Sequence, residues 1–109
     1  MDRMLKQGMI LINHPGGRDT LILRPNGVFS CLLQSRGLHV QRSLHLPVET
    51  AEHVLEHLEL LNDEKGDRWQ VLLIYRDGRT VSVSGENIAA VLTAELRTFL
   101  TLEEIDLPY

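Results

Sequence analysis

The residue types in this chain best suited to catalysis stand together at His53-Val54-Leu55-Glu56-His57, an H-x-x-E-H pattern. On a helix the two imidazoles would lie one turn apart, close enough to share a zinc ion, with Glu56 beside them as a general base. A hydrolytic zinc site also needs a third protein ligand and a cleft. Here the surroundings are Glu49, Glu52 and Glu59, at the spacing of a solvated helix face. The stretch therefore reads as an exposed acidic face. His53 and His57 stay as candidate metal ligands, no metal is assigned, and a small zinc enzyme using His53, Glu56 and His57 is the alternative left open.

The other reactive side chains resolve more simply. His39 and His45 share a strand face but are separated by roughly 20 Å at the strand rise, too far to hold one ion. Cys31 is the single cysteine, so it forms no internal disulfide, and its position among apolar residues predicts a packed core thiol. The His14-Pro15-Gly16-Gly17-Arg18 loop lacks the spacing of a phosphate-binding loop and leads into a strand, so its glycines read as turn chemistry. No Ser-His-Asp grouping can be assembled from the sequence, and no cofactor is implied.

The elements that must position these residues are legible in the period of the apolar positions. MILI at 9–12 and TLILR from Thr20 read as strands, and Pro25-Asn26-Gly27 as a three-residue hairpin loop with a bulge at the glycine. That register puts Leu21, Leu23, Phe29, Cys31 and Leu33 on one face. After a turn at Ser35-Arg36-Gly37, Leu38, Val40, Leu44 and Leu46 alternate with polar residues, with Arg42 the one charge on the apolar side. Pro47 opens an amphipathic helix whose stripe is Val48, Ala51, Val54, Leu55, Leu58 and Leu61. The Asp77-Gly78 pair then predicts a two-residue hairpin pairing Ile74 with Val81 and Leu72 with Val83. Those four would face the core, and Trp69, Val71, Leu73 and Tyr75 the other side. A second helix is expected over 86–102, capped by Ser84 or Gly85, with Glu95 at the edge of its apolar stripe.

The result is an α+β fold in the order β-β-β-β-α-β-β-α: an antiparallel sheet built from hairpins, with two amphipathic helices packed on one face. The 109 residues make one domain, with a strand and Gly-rich loop over 1–18 and a tail over 103–109. A 43% hydrophobic, 24% charged composition excludes a disordered or collagenous chain. No apolar run reaches the roughly 18 residues of a membrane span, and the first residues carry Asp2, Arg3 and Lys6 without a signal-peptide block, so a cytoplasmic protein is expected. Residues 1–42 carry a charge of +4 and residues 43–109 a charge of −8, for a net −4. That acidic balance argues against a nucleic-acid partner.

Two surface features remain. Trp69, Val71, Leu73 and Tyr75 would form a strand face too apolar for open water, which makes them the candidate partner-binding residues, covered either by residues 1–14 or by another chain. Arg42 and Glu95 each intrude on an apolar register and would form a partly buried ion pair if the closing helix packs over Arg42.

The layout resembles a known family. NGVFSCLLQ from Asn26, an extended segment ending His45-Leu46-Pro47, the acidic helix VETAEHVLEHLELL, a hairpin ending YRDGRTVSV and a closing helix are similar in order to the emfourins. These are small cytosolic bacterial inhibitors of thermolysin-like metalloproteases. The resemblance implies a non-enzymatic protein inhibitor and assigns no inhibitory residue to this chain. A protein-binding module with a protein partner is the functional expectation, and a homo-oligomeric structural subunit, such as a homodimer, its alternative.

Overall fold

The computed structural model describes residues 4–35 and 37–109. Six strands form one antiparallel sheet: β1 (Leu5–His14), β2 (Gly17–Leu23), β3 (Val28–Ser35), β4 (Leu38–His45), β5 (Trp69–Tyr75) and β6 (Thr80–Gly85). Helix α1 (Val48–Glu59) follows β4, and α2 (Ala94–Leu102) closes the described order, β-β-β-β-α-β-β-α. Across the sheet the strands run β4-β3-β2-β1-β5-β6. Four strands are laid down as successive hairpins, and α1 then carries the chain back across the sheet so that β5 pairs antiparallel with β1. The turn expected at Ser35-Arg36-Gly37 includes Arg36, which lies outside the described residues; Ser35 pairs with Leu38 on either side of it.

Both helices lie on one face of the sheet. In α1, Ala51, Val54, Leu55 and Leu58 are the buried residues. The helix approaches β1 at Gly8, where a Cβ atom would stand 3.0 Å from Leu55 and 3.3 Å from Leu58. Leu96 and Leu100 are buried in α2, and Phe99 meets Phe29 of β3 edge-on with ring centroids 6.3 Å apart. These side chains close a single core with Ile10, Ile12, Leu21, Leu23, Phe29, Cys31, Val71 and Trp69.

The register of the last hairpin differs from the two-residue expectation and moves a whole strand face. Tyr75 N–H donates to the Arg79 carbonyl at 2.9 Å, and Gly78 N–H donates to the Tyr75 carbonyl at 3.0 Å. The loop is therefore three residues, Arg76-Asp77-Gly78, with Gly78 at φ +88°. One added loop residue flips every side chain of the strand relative to its partner. Leu73 pairs with Val81 and Val71 with Val83, so Trp69, Val71 and Leu73 point under the helices, at 1%, 0% and 3% exposure. They are core residues rather than a partner surface. Leu72 and Ile74, expected inside, stand half-buried on the opposite face. Residues 5–14 lie beside β5 as a strand and do not cover it.

The second helix is shorter than its apolar spacing suggested. A 3₁₀ turn at Ile88–Ala90 comes first, capped by Asn87, whose side chain accepts from the Ala89 amide. The α-helix starts only at Ala94, where the Thr93 hydroxyl accepts the Leu96 N–H at 3.2 Å. Ser84 and Gly85, the expected caps, belong to β6. Gly85 instead leaves room for the Trp69 indole, which a Cβ there would overlap.

Candidate functional site

Helical cover stops short of the Leu38–Val40 end of β4. On the helix-facing side of β4, Leu46 just beyond the strand is fully buried, but Val40 is 51% exposed and Leu38 71% exposed. Beside them is a cavity of about 390 Å³ lined by Leu33, Leu38 and Val40, by Leu107 and Pro108 of the C-terminal segment, and by Asp19, Gln34 and Asp106. The apolar period of β4 thus delivers two large side chains to a groove that the chain itself leaves open. This is the feature best built to receive another molecule.

The far wall of the groove is held by a buried polar cluster. Asp19 is 2% exposed and is the one buried charged residue among those described. Its Oδ1 accepts the Gln34 N–H at 2.8 Å, and its Oδ2 accepts the Tyr109 hydroxyl at 2.7 Å. His14 Nδ1 accepts the Gly16 N–H at 3.1 Å, which leaves the proton of a neutral ring on Nε2, 3.2 Å from Asp19 Oδ1 though not aligned for a hydrogen bond. The Tyr109 ring packs against His14 with centroids 5.7 Å apart, and its carbonyl accepts from Arg97 Nη1 at 3.1 Å. Burial first, then the bond to Asp19, pushes the phenol well above the ordinary tyrosine range. The hydroxyl proton is committed to an internal acceptor, so the cluster works as a latch that fixes Leu107 and Pro108 opposite Leu38 and Val40.

The path of the C-terminal segment begins at the end of α2. Ile105 N–H donates to the Leu100 carbonyl at 2.9 Å and Glu104 N–H to the Thr101 carbonyl at 3.0 Å, with Glu104 at φ +59°. This is a Schellman termination with a non-glycine residue in the left-handed position and Ile105 packed into the core.

The residues singled out from sequence are dispersed. His53 is largely exposed and its Nδ1 lies 3.7 Å from Glu95 Oε1. His57 is half-buried, with Nε2 2.6 Å from the Ala90 carbonyl, to which it donates. The two imidazoles are therefore engaged with different neighbours, and among the described residues no three His, Cys, Asp or Glu side chains converge to hold a metal ion. Arg42 and Glu95 do not form the expected pair. Arg42 Nη2 donates to the Glu103 carbonyl at 3.4 Å, at the C-terminus of α2, while Glu95 faces His53. Of the expected strand face, Tyr75 alone is accessible, with its hydroxyl donating to Glu59 at 3.0 Å and Arg79 stacked 4.2 Å from its ring centroid. Cys31 is fully buried, and burial pushes its thiol up to about 12, which keeps it protonated and unreactive at neutral pH.

Sequence reasoning did not find Asp19, His14 or Tyr109 as a group. One signal was present: Asp19 has the same strand parity as Leu21 and Leu23, so it is a carboxylate in a core register. Its partner Tyr109 is 90 residues away, and no local pattern connects them. No helix among the described residues is long and apolar enough to cross a membrane. Set against family models, curated proteins and solved structures, the chain matches none.

Proposed function

We propose that this protein is a non-enzymatic, cytoplasmic protein-binding module that engages its partner at the β4 end of the sheet. The observation that carries the reading is the apolar groove flanked by the exposed Leu38 and Val40, with its far wall fixed by the Tyr109–Asp19 bond. A preorganised apolar cleft lowers the ordering cost of association. The resemblance of its layout from Asn26 onward to that of the emfourins makes a thermolysin-like metalloprotease the first partner to try.

The test is affinity capture from native cytosol with the intact chain and with Leu38→Asp/Val40→Asp, followed by mass spectrometry and by titration of thermolysin activity. A protein retained by the wild type and lost with the double variant is the expected result. A protein retained equally by both overturns the assignment to the groove. Recovery of unlabelled copies of this chain alone would favour the homodimer, a reading supported by the exposed edge of β4. Stoichiometric loss of thermolysin activity that depends on Leu38 and Val40 would make the module an inhibitor.

A further inference from the structure

Resting on that reading, we infer that the partner binds by strand addition to β4, as an extended segment with apolar residues at alternate positions and acidic residues between them. The two ends of the sheet differ in a way that singles out β4. At β6 the chain covers its own edge at Ser84: the Asp63 carboxylate accepts the Ser84 N–H at 3.1 Å, and Glu64 N–H donates to the Ser84 carbonyl at 2.8 Å. At β4 no backbone hydrogen bond from another element reaches the outer edge among the described residues. Leu38–His45 contains no proline, so its outward amides form an uninterrupted donor row. A free row of amides and carbonyls is the recognition surface for an added strand, and pockets along it select alternate side chains.

The exposed apolar side chains of β4 and the charges set the sequence of that strand. Side chains of the incoming segment on the helix side fall beside the exposed Leu38 and Val40, on the side of them away from the groove, and must be apolar. Those between them fall on the opposite face, where β4 presents His39, Gln41, Ser43 and His45. From Gly37 to Pro47 there is no Asp or Glu, and that opposite face carries His39 and His45, Arg42 being on the helix side. Acidic residues on the incoming strand therefore meet a surface free of like charge, whereas at β6 they would meet Asp63, Glu64 and Glu86.

The probe is an eight-residue peptide alternating valine and glutamate, compared with the valine–lysine version and with a peptide of the same composition in two blocks. Binding to the full chain is followed by NMR, with hydrogen exchange of the β4 amides. The expected result is slowed exchange of the outward amides between Leu38 and His45, with at least tenfold weaker binding of both control peptides. Leu38→Asp/Val40→Asp should abolish the effect with an unchanged far-UV spectrum. Equal binding of the lysine peptide, protection at β6 or on another face, or no binding at all overturns the inference. A captured partner whose footprint lies on the groove but spares the β4 amides would remove strand addition and leave the protein-binding reading standing. Loss of all groove-dependent capture would remove both.

Discussion

Burial pushes the Cys31 thiol up to about 12, with Arg42 partly opposing the shift, and moves the Tyr109 phenol in the same direction. The folded chain therefore keeps protons at pH values where the unfolded chain releases them, the thiol from about pH 8.5 upward. Stability from these groups is complete below the unfolded values and drains away as pH rises toward the folded ones. Urea unfolding should give a clear loss of stability between pH 7.5 and pH 10, and Cys31→Val should fold as well at the lower pH and lose less on the way up. An identical pH slope in the variant would mean that the thiol does not carry the effect. At the same scale, Tyr109→Phe leaves one oxygen of the buried Asp19 without its donor. A loss of about 1–3 kcal/mol is expected, read as a lower urea midpoint at unchanged slope, together with weaker binding at the groove.

At the scale of elements, two hairpins share one turn chemistry. Pro25-Asn26-Gly27 and Arg76-Asp77-Gly78 each place glycine at positive φ, +93° and +88°, and each closes with the residue before the loop donating to the residue after it. The first loop was legible because proline marks its start. In the second, Asp77-Gly78 marked the place of the turn but not its length, since Arg76 reads equally well as strand or loop. That single residue decided whether Trp69 or Leu72 faces the core. The helix stripes were legible for the opposite reason: Ala51, Val54, Leu55 and Leu58 repeat a period that one residue at the end cannot alter. The apolar period from Ile88 to Phe99 concealed the break before α2, because Val91 and Leu92 stay buried through the interruption. The left-handed residue closing α2 gives a prediction. Glu104 occupies φ +59°, where glycine is free of the strain a side chain brings, so Glu104→Gly should raise stability by about 0.5–1 kcal/mol. Gly78→Ala, at an open site where no atom lies within 4 Å of the added Cβ, should lower it by about 1–2 kcal/mol. A neutral result for both in thermal melts would show that neither turn has the left-handed geometry.

Across the whole molecule the sheet divides two chemical worlds. The helix side carries Glu49, Glu52, Glu56, Glu59 and Glu95, while the strand residues on the other side include no Asp or Glu and present Met9, Leu11, Ile22, Leu72 and Ile74, all half-buried by their neighbours. Among the described residues the core lies on the helix side, and β1, β2, β3 and β5 each contribute fully buried residues to it. The sheet cannot reach its final form in pieces, because β1 lies between β2 and β5 and so joins the first hairpins to a strand that follows α1. Leu5, Ile10 and Ile12 are covered only when both sides have assembled. Trp69 reports on this closure directly. It is 1% exposed, pairs with Ile12 of β1 and Gly85 of β6, and donates its indole N–H to the Asn87 carbonyl at 2.9 Å. The native emission should therefore be blue-shifted, and its red shift on unfolding should coincide with the loss of far-UV signal across a urea titration. If β1–β4 formed an independent unit, the tryptophan transition would separate from the far-UV transition. Non-coincident curves would thus replace the single-core description with two cooperative halves, and coincident ones require that the β1–β5 pairing be made and lost with the whole fold.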